Sequence, residues 1–422
     1  MTKQHRRTFL TAVGVGTAAL AGCIGSLDGT GDDDNDDTGN TTDPNGDDGT
    51  DTTPQDVTAP AIADGEVIDD FEEIEWQPMF DHTTVGASDD ALVGEGALLV
   101  ESDADQAGAY RSFSGGLDVA GKQLSFAIKV ESPLPARVVV EARAPGQSDR
   151  LTSARRIPSE YDGWLRMEVG WTGRRGEPNL GNVYDLLIYV EPDGNSDETI
   201  RFALDDLRAT ESADQGYVVL TFDDGVASQH TTALPMLEER GWPGVAAIIP
   251  DSINRPDRLS LEQCRELRDA GWDVSAHPHT ALPEMESHQE RVDYLQRAYD
   301  TIANRIHEEG ARHYFAPYNR MDPESMEAVR EVFETSFIFG GHPNVAPPTD
   351  GHLLSRVNGH DASDLTGMLD LAADYNQVVV TMVHGVGDGD LDDVSEEDFE
   401  RLLDEIEARD LEVVTVSDLI DG

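Results

Sequence analysis

The chain has 422 residues and a formal net charge of −54, with 84 Asp and Glu against 30 Lys and Arg. Such an excess of carboxylate excludes nucleic acid and anionic lipid headgroups as partners reached through charge. The length is too great for one small domain, and the only two cysteines, Cys23 and Cys264, offer no disulfide framework.

Residues 1–26 read as an export signal. Arg6-Arg7-Thr8-Phe9-Leu10 has the twin-arginine pattern, and the apolar run after it is too short to span a bilayer. Leu20-Ala21-Gly22-Cys23 resembles a lipobox, which implies a diacylglyceryl group on Cys23 and a lipid-anchored protein on the outer face of the cytoplasmic membrane. Residues 27–64 read as an acidic tether, because Leu27 to Val57 holds eleven Asp and no basic residue and cannot bury enough apolar surface to fold. Lysine occurs only at positions 3, 122 and 129, and arginine supplies the other cations. Dense carboxylate with Arg in place of Lys resembles proteins of the haloarchaeal type, in which strong salt screens the self-repulsion.

Residues 65–212 form short alternating segments separated by Gly, Pro, Asp and Ser, among them Ala97 to Glu101, Leu124 to Val130 and Ile200 to Leu204. That texture predicts an antiparallel β-sandwich. The opening Ile68-Asp69-Asp70-Phe71-Glu72 and the closing Leu204-Asp205-Asp206-Leu207 resemble jelly-roll carbohydrate-binding modules. The resemblance implies a structural calcium, for which Asp70, Glu72 and Asp205 offer hard oxygen ligands. Trp76, Trp164 and Trp171 are candidates for stacking on sugar, against the commoner role of tryptophan in a core.

Residues 215–422 alternate strand with helix, which predicts parallel strands with crossover helices in a sheet or barrel. The polar residues of interest fall where strands end. Asp223-Asp224 closes the run from Tyr217, His277-Pro278-His279 closes Asp273 to Ala276, Pro317-Tyr318 follows His313 to Ala316, and His384 closes Val378 to Val383. In barrels the chemistry gathers at those ends. Asp and His there are the ligand types of a hydrolytic zinc site.

Thr221-Phe222-Asp223-Asp224-Gly225, the helix ending Glu239-Arg240-Gly241-Trp242, Met382-Val383-His384-Gly385 and the closing Val413 to Leu419 together resemble the polysaccharide deacetylase family, the NodB homology domain. The resemblance implies a distorted α/β barrel that uses a divalent metal, zinc above all, to remove acetyl groups from carbohydrate. It also implies roles. Asp223 would be the base, Asp224 a metal ligand, His384 the proton donor to the leaving group, and Tyr318 the residue whose backbone N–H holds the oxyanion.

Two departures stand out. The family's second ligand histidine falls at Ala281, four residues after His277, and His279 is the available substitute if the chain stays extended across Pro278. The family's Arg before Pro-Tyr is Ala316, with Arg320 and Arg356 as candidate replacements, and the acidic partner of His384 is either Asp361 or Asp364. The expected activity is acetyl hydrolysis on a carbohydrate at the cell surface. The alternative is a silent glycan-binding protein. Oligomeric state is not legible.

Overall fold

The computed structural model describes residues 65–360, 362–387 and 393–421. The export signal with Cys23, the acidic tether and Asp361 lie outside them. Among the described residues no helix is long and apolar enough to cross a membrane.

The first half is a sandwich of two six-stranded antiparallel sheets. Alternation builds it: in the strand Asp149–Ile157, Leu151, Ser153, Arg155 and Ile157 are buried while Arg150, Thr152 and Ala154 are half-buried and Arg156 is exposed. Trp76 and Trp171 are buried in the core, and half-buried Trp164 directs its Nε1 to Asp90 at 3.2 Å. Trp76 and Trp171 are therefore packing residues, each in a segment that flanks a strand, with its ring in the core.

The expected calcium set does not assemble. Buried Asp205 spends its carboxylate on the backbone N–H groups of Leu92, Val93 and Asp206, while Glu72 accepts from Glu95 and exposed Asp70 from Glu72. Oxygens already committed to amide donors are not aimed at an ion, and among the described residues no group of three Asp, Glu, His or Cys is arranged to hold one.

The second half is a closed barrel of seven parallel strands. The strand Gly216–Asp223 pairs with Val245–Ile248 on one side and with Gln377–Val383 on the other, which closes the ring. The remaining members are Asp273–Ala276, His313–Phe315, Thr335–Phe339 and Leu354–Asn358. Helices such as Leu261–Asp269 and His288–Arg305 cross over outside it, the first with a full capping box made by Ser260 and Gln263. Cys264 is buried on that helix. Leu354–Asn358 is absent from the sequence reading, since Ser355 and Arg356 break the apolar run that marks the other strands. The apolar run Leu411 to Val416 predicts a strand, which ends early, at Val413, and Val416–Asp421 is a short helix.

Sandwich and barrel pack as one compact unit, joined through residues 212–215 and a polar seam. Gln123 exchanges hydrogen bonds with the Ala346 N–H and the Pro347 carbonyl, and Arg155 donates to the Leu353 carbonyl at 2.6 Å. A Cβ on Gly170 would lie 1.7 Å from the Pro343 carbonyl oxygen, so only glycine permits this approach.

Glu168 is the most exacting member of the seam. It is buried, yet accepts from the backbone N–H groups of Val345 and Thr349 and from the Thr349 hydroxyl. Burial pushes its carboxyl up to about 7, although these donors and Arg155 oppose the shift. A raised carboxyl contributes stability below its unfolded value that is lost as pH rises through the folded one. The stability margin of the wild type over Glu168→Gln is therefore expected to shrink between about pH 4.5 and 7, by on the order of 3 kcal/mol. Paired denaturation curves at pH 4.5, 6 and 7.5 check it, and a pH-independent margin contradicts it.

Candidate active site

The C-terminal ends of the barrel strands open into a cleft of about 780 Å³. Asp223, Asp224, His277, His279, Tyr318 and His384 all line it, together with Arg258, Arg356 and Phe339. The convergence follows from topology, since parallel strands deliver their last residues to one face.

Asp223 and Asp224 part company at the strand end. Asp224 has φ 72° and Gly225 φ 63°, a left-handed pair that reverses the chain sharply. Asp223 is left 2 % exposed at the cleft floor, where Arg356 Nη1 donates to its Oδ1 at 2.6 Å. Arg356 is itself buried, with its guanidinium over the Phe315 ring at 5.2 Å to the centroid. Burial alone would raise the Asp223 carboxyl, but Arg356, with His277 and His384, holds it below the usual carboxylate range. The missing motif arginine is thus replaced from a different strand. Arg320 is not the replacement, since it pairs with Glu160 at 2.7 Å and with Glu284.

Gln229 is a site residue without a sequence signal. Buried after the turn, its Nε2 donates to the Asp223 carbonyl at 2.6 Å and to the His384 carbonyl at 2.9 Å, clipping the two strand ends together. Its place in a Ser-Gln-His run gives no periodicity to read. The His384 Nδ1 is buried without a hydrogen-bond partner among the described residues, and its ring stands 6.1 Å from that of His360. Of its candidate acidic partners, Asp361 and the Asp364 side chain lie outside the description.

His277 directs Nδ1 to the Phe315 carbonyl at 2.9 Å, so that nitrogen carries the proton and Nε2 faces Asp224 Oδ1 at 3.6 Å. His279 does not complete a trio. Its ring is exposed and stands edge-on to Tyr318, with Nδ1 3.4 Å from the tyrosine hydroxyl. Tyr318 has φ 57° and is 67 % exposed at the rim. Ala281 is 1 % exposed and offers no ligand atom. A catalytic zinc takes three protein ligands, and among the described residues no group of three is arranged to hold an ion. Among the described residues the donor set of Asp224 and His277 is one short, and it does not fit a resident divalent metal.

Residues 210–332 match the model of the polysaccharide deacetylase family. Over that stretch the barrel is similar to the polysaccharide deacetylases. The matched stretch includes Asp223, Asp224, His277 and Tyr318 and ends before Arg356 and His384, whose places rest on the geometry above. Among curated proteins, none matches the chain. Solved structures with a similar fold include a family 4 carbohydrate esterase from Streptomyces lividans in complex with acetate (16% identity, 47% of this chain, 92% of that one, TM-score 0.35). A family 4 acetyl xylan esterase from Clostridium thermocellum in complex with a cobalt ion is similar at 13% identity over 48% of this chain and 89% of that one, TM-score 0.35. A family 11 carbohydrate-binding module from Clostridium thermocellum is similar at 16% identity over 36% of this chain and 97% of that one, TM-score 0.27. At these levels the likenesses carry no argument about substrate or metal.

Proposed function

We propose that this deacetylase domain removes acetyl groups from a carbohydrate at the cell surface, with Asp223 as base and His384 as proton donor. The observation that carries the reading is a buried Asp223, held by Arg356, opening on the same cleft as His384. Asp223 takes the proton of the attacking water, the backbone N–H of Tyr318 stabilises the tetrahedral oxyanion, and His384 protonates the departing amine or alkoxide. Surface location and lipid anchoring are supported by the twin arginines and by Leu20-Ala21-Gly22-Cys23. Glycan binding by the sandwich is supported by the texture of its strands. A divalent metal is part of the family resemblance, and the two-donor set at Asp224 and His277 supports neither zinc nor any other tightly held ion.

The reading is tested by acetate release from N-acetylated and O-acetylated oligosaccharides in strong salt. His384→Ala is expected to slow amide substrates more than esters, because an amine is the poorer leaving group and needs the proton more. A loss of about 10²–10⁴-fold on amides is the size expected of a positioned general acid. Equal losses on both substrate types reject the proton-donor role. Glycan retention without acetate release from any of these substrates identifies a silent binding protein, the reading favoured by Ala281 in place of a ligand.

A further inference from the structure

The cleft holds a cation that the proposed chemistry has not yet used. Residues 257–259 run antiparallel to 225–227: the Leu259 N–H donates to the Gly225 carbonyl at 2.8 Å, the Ala227 N–H to the Asp257 carbonyl at 3.1 Å, and Arg258 is bridged to Val226. This ladder fixes the backbone of Arg258 beside the Asp223-Asp224 turn. Its Nη1 donates to the Asp224 carbonyl at 3.0 Å and stands 3.3 Å from Asp224 Oδ2. Asp224 is its one carboxylate partner among the described residues, and both side chains are 30 % exposed to the cleft. The two oxygens of Asp224 are thereby divided, Oδ1 toward His277 and Oδ2 toward Arg258.

A dication on Asp224 would share that carboxylate with a guanidinium placed within hydrogen-bond range, and like charges so close repel strongly. Among the described residues no third donor offsets the repulsion: position 281 is a buried alanine and His279 turns to Tyr318. A guanidinium is always charged, carries five N–H donors in a rigid fork and suits an oxyanion well.

We propose that Arg258 is the resident cation of this site, holding Asp224 and donating to the acetyl oxygen where a divalent ion would otherwise act. The inference rests on the deacetylase reading above and supplies its electrophile. Water's oxygen forms the new bond to the acetyl carbon while Asp223 accepts its proton. The carbonyl electron pair moves onto the oxygen facing Arg258. Collapse breaks the bond to nitrogen or oxygen, the leaving group takes its proton from His384, and acetate departs.

The experiment uses the full chain dialysed against EDTA, with zinc and cobalt titrated by calorimetry and acetate release measured on acetylated oligosaccharides. The wild type is expected to bind neither ion stoichiometrically at micromolar concentration and to keep its activity in EDTA. Arg258→Met is expected to lose at least 100-fold in kcat and to bind zinc more tightly, and Arg258→Lys to keep part of the rate. One zinc per chain bound below micromolar in the wild type overturns the proposal, even if no substrate turns over or Arg258→Met fails to fold. So does full activity of Arg258→Met, or activity abolished by EDTA and restored by metal. If Asp223→Asn is inactive while Arg258→Met is fully active, the deacetylase reading stands and only the role of Arg258 falls. Full activity of Asp223→Asn overturns the deacetylase reading and the proposal with it.

Discussion

Asp223→Asn is expected to lower acetate release by about 10²–10⁴-fold, the loss that follows removal of a positioned general base. The substitution is nearly isosteric, and an amide oxygen still accepts from Arg356 Nη1, so the cleft keeps its shape. What disappears is the ability to take a proton from water. The same substitution leaves the Arg356 guanidinium, buried over Phe315, without its countercharge. A fall in melting temperature should therefore accompany the loss of rate. Steady-state acetate assays and thermal denaturation measure the two separately. A variant that melts like the wild type and turns over at the wild-type rate removes Asp223 from the mechanism.

The second large effect is expected at Arg356. Arg356→Met keeps the length and apolar stem of the side chain but abandons a carboxylate that is only 2 % exposed. Removing one partner of a buried pair costs about 3–5 kcal/mol, because the remaining charge is neither solvated nor compensated. The protein can relieve that cost by protonating Asp223, which disables the base. Either route lowers activity, and both predict that Asp223→Asn combined with Arg356→Met recovers stability relative to Arg356→Met alone while remaining inactive. A double-mutant cycle from denaturation curves gives the coupling directly. Additive losses would mean that the 2.6 Å contact contributes nothing.

These expectations differ in how far they could be foreseen. Asp223, Asp224, His277, Tyr318 and His384 were legible because each follows an apolar run, and parallel strands deliver their ends to one face of a barrel. Arg356 was visible only as one of two arginines of unknown place. Its strand, Leu354–Asn358, reads as a loop because buried Ser355 and Arg356 interrupt the apolar run that marks the other strands. His279 went the other way. Two residues apart on an extended chain predicts a shared side, but the exposed ring meets Tyr318, so the expected three-ligand set is not formed.

By itself the sequence determined the two textures, the sandwich of alternating strands and the strand-helix barrel, since side-chain period is a local property that each segment carries alone. It also determined that two carboxylates would stand at the mouth of the first barrel strand. Only the tertiary structure decided which cation each carboxylate meets. Asp223 pairs with Arg356, 133 residues away, and Asp224 with Arg258, 34 residues away. The same holds for Gln229 between two strand ends and for Glu168 against the barrel backbone at Val345 and Thr349. Those partners are chosen by barrel closure and by the packing of sandwich on barrel, which bring distant segments together in one register and leave no trace in local pattern.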